Sequence, residues 1–293
     1  MTGWPAADLH VTIELVRALL SEQHPDLADL PIASVAAGWD NFIFRLGSDL
    51  ALRMPRRAVA AELIQSEQTW LPVLAPRLSL AIPTPQRIGV PGCGYPWHWS
   101  VVPWFEGTCA DNLRFDAAQA RAFARFLLEL HQPAPAGAPH NPVRGVPLSE
   151  RAGVVGERLE RLRRLGSWIT SAVEESWHAA LAAPPSAAGV WLHADLHALN
   201  VLAREGHIHA VIDWGDLTAG DPATDLASVW MLFEDGAARH ALLDVYAPAQ
   251  ALLERARGWA VSFGTVLLET GLTNSPRHAE IGAATLRRLA ADA

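Results

Sequence analysis

Two segments of the chain, WLHADLHALNVL (191–202) and VIDWGD (211–216), gather oxygen-bearing side chains into one short acidic stretch. Asn200 lies five residues after Asp195, and Asp213 eighteen after it. A hairpin with its turn at Glu205-Gly206 falls between them, so the three side chains can converge at one of its ends. That set suits phosphoryl transfer. A carboxylate orients an attacking hydroxyl and takes its proton, while a second carboxylate and an amide oxygen hold Mg²⁺ against nucleotide phosphates. All 23 basic residues are arginine, so a cation that grips phosphate here must be a guanidinium. Simpler roles stand beside these. Asp and Asn also cap turns. His193 reads as a residue that orients the loop through its ring. His197 stands between loop packing and substrate contact, and Asp216 between a second metal and loop N–H groups.

The elements that must position these residues follow from periodicity. The opening residues, with Asp8, Glu14 and Arg17 interrupting the apolar positions, predict an amphipathic helix and no signal peptide. Residues 32–57 alternate in the manner of strands, predicting an antiparallel meander over 32–37, 40–46 and 50–54. A helix follows over 58–78, and QRIGV with WHWSVVPW completes a small sheet. From Asp116 the pattern turns helical. A capping box from Asp116 to Gln119 opens a helix that runs to about His131. A Pro-rich loop spans 133–147, with helices near 149–165 and 167–182. Strands are expected at 200–203 and 208–212, then helices near 222–235, 237–246, 248–270 and 277–291. The change from strand to helix near 103–107 marks a lobe boundary.

Composition narrows the functional class. Half of the 293 residues are apolar and 18% are charged, as in a compact soluble protein. Between Pro184 and Glu254 ten Asp and Glu face two Arg, which argues against a nucleic-acid partner and for a divalent metal or a cationic small molecule. Cys93 and Cys109 are the two cysteines, in no zinc-like spacing, and fit a reducing cytoplasm. No proline-free stretch of about 18 uncharged apolar residues occurs, so no membrane span is expected.

HADLHALN resembles the catalytic loop of the aminoglycoside phosphotransferase family, kinase-fold enzymes that phosphorylate antibiotic hydroxyls. IDWGD is similar to that family's metal-binding segment, GDPATDLA (220–227) to the turn and helix after it, and LRMPRR to the macrolide phosphotransferase branch. The resemblance implies a two-lobed α+β kinase-like fold with nucleotide clamped between lobes. The small antiparallel N-lobe would span 1–102, the hinge 103–107 and the helical C-lobe 108–293. It implies Asp195 as catalytic base and Asn200 and Asp213 as Mg²⁺ ligands, while Asp225, at a helix start, reads as an anchor of the loop. Arg53 would grip phosphate and pair with Glu67, with Glu62 as a competing partner. Arg53 departs from the lysine that many relatives carry. The loop AAGWDN would bring Gly38 near phosphate. Val102 would approach the base pocket, with the Pro103 carbonyl accepting from adenine and the Phe105 N–H donating to it. The donor would be ATP or GTP and the acceptor an aminoglycoside, with a macrolide second. His197, Asp216 and Glu234 are candidate acceptor contacts, because Asp216, Asp221, Glu234 and Asp235 would leave negative charge for a polycation. A metabolite kinase and a non-catalytic nucleotide-binding protein remain as alternatives, and monomer and homodimer are both open.

Overall fold

The computed structural model describes residues 6–37, 39–186 and 189–292. The backbone divides into two units. The first runs to Pro76 and adds Ala81–Glu106 and Ile212–Gly215, while the second takes Arg77–Leu80, Gly107–Val211 and the chain from Asp216 onward.

The first unit opens with α1 (Ile13–Gln23), where Thr12 Oγ1 accepts the Leu15 N–H at 3.2 Å as an N-cap. Strands β1 (Ile32–Ala37), β2 (Asn41–Leu46) and β3 (Leu50–Pro55) lead into α2 (Ala58–Leu74), and then come β4 (Arg87–Gly89) and β5 (Trp99–Pro103). They form an antiparallel sheet of order β1-β2-β3-β5-β4. Register puts Phe44 opposite Leu52 and Leu52 opposite Val101. These residues therefore share one face, which buries against Val16, Leu19 and Leu20 of α1, with Tyr95 and Trp99. The other face carries Arg53 opposite Ser100 and Ala51 opposite Val102. There α2 packs on β3 and β5. Its buried stripe is Ala60, Ile64, Glu67, Leu71 and Leu74, at helical spacing. Gln68 fixes the phase by donating to the Trp99 carbonyl at 2.9 Å and to Ser100 Oγ at 3.0 Å. The helix expected to reach residue 78 stops at Leu74 and continues as one 3₁₀ turn, Ala75–Arg77. Pro76 lacks the N–H an α-helix would use there.

The second unit contains β6 (Thr108–Cys109), α3 (Ala117–Leu130), α4 (Ala152–Leu165), α5 (Ser171–Ala182), β7 (Val190–Leu192), β8 (Val201–Arg204), β9 (His207–Val211) and β10 (Thr218–Gly220). Helices α6 (Ala223–Leu226), α7 (Ser228–Leu232), α8 (Gly236–Tyr246), α9 (Gln250–Asn274) and α10 (Pro276–Ala291) complete it. Two small sheets, β6-β8-β9 and β7-β10, frame the segment 193–200. The pairing of β7 with β10 was not anticipated, and the helix expected at 222–235 is two short pieces that end at Leu232. Asp116 caps α3, its Oδ1 accepting from Ala118 and Gln119 N–H at 2.9 Å each. Gln119 does not complete the expected box. Its Oε1 accepts the Ile208 N–H at 2.9 Å instead and ties α3 to β9. The buried α9 crosses α10 closely at Gly271 and Gly282, where a Cβ would collide with the backbone of Ala279 and of Leu268. The architecture is α+β, an antiparallel N-terminal sheet followed by a mainly helical region.

Candidate active site

In the second unit β7 enters the loop with all three residues buried. Asp225, fully buried at the start of α6, accepts the N–H of Ala194 at 2.7 Å and of His193 at 2.8 Å. Ala194 has φ of 68°, a left-handed conformation that crowds a Cβ, and these two charge-assisted bonds hold it there. Asp225 is braced in turn. His131 Nε2 lies 3.4 Å from Asp225 Oδ2, and His131 Nδ1 lies 2.7 Å from the Tyr246 hydroxyl. Burial, with Asp225 and Asp221 adding to it, pushes the Tyr246 phenol up, so Tyr246 keeps its proton beside His131.

Asp195 emerges from that anchor with both oxygens engaged. Oδ1 accepts from Arg144 Nη2 at 3.3 Å, and Oδ2 from Asn200 Nδ2 at 3.3 Å, with His197 Nε2 at 3.4 Å. Burial alone would raise the Asp195 carboxyl, but His197 and Arg144 more than offset it and hold it well below the usual carboxylate range. Asp195 is therefore ionised at neutral pH and is a weak base. His197 is nearly buried and committed within the loop. Its Nδ1 accepts the Leu199 N–H at 3.2 Å, and its Nε2 lies 3.4 Å from Asp195 Oδ2. His278 of α10 stands edge-on to it with ring centroids 6.0 Å apart, and burial followed by His197 lowers the His278 pKa.

The first unit carries a buried pair. Arg53 Nη2 donates to Glu67 Oε1 at 2.6 Å, and the two residues are 7% and 1% exposed. Glu67 is the one charged residue in the apolar stripe of α2, whereas Glu62 is exposed. Burial raises Glu67 to about 7; Arg53 offsets that only in part, and Asp213 adds to it. Burial opposes the charge on Arg53, but Glu67 and Asp213 hold its pKa above the ordinary value. The same Nη2 also reaches Asp213 Oδ1 at 3.4 Å. Asp213 has φ of 62° and a side chain 57% exposed, so its carboxylate remains open to a cation.

The donor chemistry fits magnesium. Asn200 spends Nδ2 on the Asp195 carbonyl at 3.0 Å and on Asp195 Oδ2, so Oδ1 is the atom it could offer a cation. The Asp213 carboxylate in the first unit and the Asn200 amide oxygen in the second are each hard donors of the kind Mg²⁺ takes. Among the described residues no group of three or more His, Cys, Asp or Glu forms a metal cage by itself.

β5 ends in a usable edge. The Trp104 N–H donates to the Asp49 carbonyl at 2.7 Å, and the Gln86 N–H donates to the Val101 carbonyl at 2.8 Å. Alternation along the strand therefore turns the carbonyl of Pro103, like that of Val101, away from β3. Val102 is buried on the face that carries Arg53. Phe105, two residues past Pro103, is half-buried. Gly38 lies outside the described residues.

The acidic stretch is largely engaged within its own unit. Asp216 accepts from Asn141 Nδ2 at 2.6 Å, Asp221 pairs with Arg255 Nε at 2.5 Å, and Asp235 caps α8. Glu234 meets Arg114 at 3.2 Å and lines a cavity of 330 Å³ with Ala198, Arg277 and Arg288. Arg144, inside the Pro-rich loop, was not singled out by the sequence. No local pattern marks it, and the contact with Asp195 spans 51 residues.

The model of the phosphotransferase enzyme family (APH) matches residues 31–259. The chain superposes on the GDP complex of wild-type aminoglycoside 2'-phosphotransferase-IIIa with a TM-score of 0.67 and 18% identity, covering 94% of this chain and 98% of that one. For the apoenzyme of macrolide 2'-phosphotransferase MphH from Brachybacterium faecium the TM-score is 0.60 and the identity 24%, over 94% and 97% of the chains. For the streptomycin–ATP ternary complex of APH(2")-IIa the values are 0.59 and 16%, over 88% and 91%. No curated protein matches the sequence. At such identities the structural likeness speaks for the fold.

Proposed function

The chain belongs to the phosphotransferase enzyme family, and we propose that it transfers the γ-phosphate of ATP or GTP to a hydroxyl of a small antibiotic-like molecule. The observation that carries this reading is the Asp195 carboxylate, held ionised and oriented on a buried anchor. Asp195 receives the acceptor hydroxyl. Asn200 and Asp213 hold Mg²⁺, which when bound neutralises charge on the nucleotide phosphates. Arg53, fixed by Glu67, grips phosphate, and the edge at Val102, Pro103 and Phe105 takes the base. No described helix is long and apolar enough to cross a membrane. Both cysteines are free, and we place the protein in the cytoplasm, where nucleotide and reducing conditions coexist.

An aminoglycoside is the first acceptor to try, because solved relatives of this fold bind kanamycin, gentamicin or streptomycin. A macrolide is the second, favoured by one observation: Asp221 and Asp216, expected to serve a polycation, are held by Arg255 and Asn141. Transfer of labelled γ-phosphate from ATP and GTP to both antibiotic classes, at rising NaCl, tests the reading. An aminoglycoside acceptor should show KM climbing with salt, and a macrolide little change. Asp195→Asn should reduce turnover by about 10²-fold or more while nucleotide binding persists. A loss under tenfold overturns the role of Asp195. Intact nucleotide binding without transfer to either class shifts the reading to a metabolite kinase or a non-catalytic protein.

A further inference from the structure

The carboxylate of Asp195 is a two-fold rotor, and one partner would not fix it. Rotation about its terminal torsion is soft, and only donors on both oxygens decide which lone pair faces an incoming hydroxyl. Asn200 and His197 hold Oδ2. On Oδ1 the donor is Arg144, at 3.3 Å.

Arg144 is itself held at several points. Its guanidinium lies over the ring of Phe263 in α9, 4.4 Å from the centroid. Its backbone N–H donates to Asn141 Oδ1 at 2.9 Å, and its carbonyl accepts from Thr224 Oγ1 at 3.3 Å. Asn141 ties onward to Asp216 at 2.6 Å. A surface arginine without a task keeps its freedom, since immobilising so long a side chain costs entropy. This one is stacked, bonded and four-fifths shielded from solvent. Thr224 neighbours Asp225, so the segment that anchors the loop backbone also anchors the arginine that reaches its side chain.

We propose that Arg144 is the positioning residue for Asp195, holding the carboxylate so that a free lone pair of Oδ1 meets the acceptor hydroxyl. The role rests on the transferase reading above. It acts through Asp195 and requires no contact with nucleotide, so its removal lowers kcat and leaves the nucleotide KM unchanged. Lysine replaces it incompletely, because an ammonium reaches Oδ1 as a point charge and does not stack on Phe263 as a planar fork does.

The test is steady-state phosphotransfer by the full chain, with the acceptor that the wild type turns over. Arg144→Ala is expected to lower kcat by about 10²-fold, the cost of a misplaced reacting group. Nucleotide KM should stay within about threefold, and Arg144→Lys should fall between alanine and wild type. Guanidinium ion at millimolar concentration should restore part of the alanine variant's kcat, while NaCl at equal ionic strength does not. Arg144→Gln, which keeps length and removes charge, serves if the alanine variant does not fold. A kcat within threefold of wild type in either neutral variant overturns the inference. So does a joint loss of kcat, nucleotide affinity and thermal stability without guanidinium rescue, which makes Arg144 structural. Transfer by the wild type with Arg144→Ala unimpaired leaves the enzymatic reading standing. Absence of transfer by the wild type overturns both.

Discussion

Asp225→Asn is the substitution whose outcome departs furthest from intuition. The isostere should harm the protein about as much as alanine. Both oxygens of Asp225 accept buried backbone N–H groups, at 2.7 and 2.8 Å. In the amide one oxygen becomes an NH₂, so a donor faces a donor and one N–H loses its acceptor. Stranding a buried N–H costs about 1–3 kcal/mol, and the surviving bond loses about 1 kcal/mol with the charge. The sum is about 3 kcal/mol, within the range alanine costs by stranding both groups. Ala194, released from φ of 68°, should relax toward negative φ and carry Asp195 with it, so kcat should fall as well. Adding Ala194→Gly to Asp225→Asn should recover about 1 kcal/mol, because glycine tolerates the left-handed conformation. Urea unfolding followed by tryptophan fluorescence measures the stability, and phosphotransfer measures the rate. An Asp225→Asn protein within about 1 kcal/mol of wild type, with kcat preserved, would refute the anchoring argument.

Asp213→Ala should abolish the Mg²⁺ dependence of nucleotide affinity, read by titrating nucleotide with and without the metal; an unchanged dependence would remove Asp213 from the ligand set. Glu67 supplies a pH signature. Its pKa is raised from 4.5 in the free side chain to about 7 in the fold, so the folded state binds the extra proton. That contribution to stability is fully present below about pH 4.5 and is lost as pH rises through about 7, amounting to about 3 kcal/mol at most. Glu67→Gln should flatten the decline in unfolding free energy between pH 5 and 8, and an identical slope in both proteins would show that burial does not tax this carboxyl.

Much of the fold was legible because its signals are local. The meander of β1, β2 and β3 is written in alternation broken by Gly47-Ser48-Asp49, and Glu67 falls in phase with Ile64 and Leu71 on α2. What escaped depends on partners distant in sequence. β7 and β10 are three residues each, too short for a period to register, and they exist because each finds the other across 28 residues. Gln119 looked like half of a capping box, since nothing near it announces the Ile208 N–H that claims its side chain. The acidic stretch misled in the same way. A count from Pro184 to Glu254 sums charge but cannot see pairing, and Arg255, which holds Asp221, is the next residue along the chain. Net charge along the sequence describes a field only where the charges lack partners in space.

The chain has no lysine, and each unit sets an arginine against its carboxylates. In the first unit a single Nη2 of Arg53 reaches both Glu67 and Asp213, and in the second Arg144 reaches Asp195 while stacking on Phe263. A buried ammonium surrenders its proton readily as desolvation lowers its pKa, so a lysine in the place of Arg53 would stay charged only while its carboxylates did. A guanidinium, starting above 12, keeps its charge through the same desolvation. Arg53 thus remains cationic even when Glu67, titrating about 7, takes up its proton. The charge on Arg53 is thereby uncoupled from the protonation of Glu67, the residue that positions it. A lysine at the same place would couple them, and Arg53→Lys is accordingly not a conservative change in this protein.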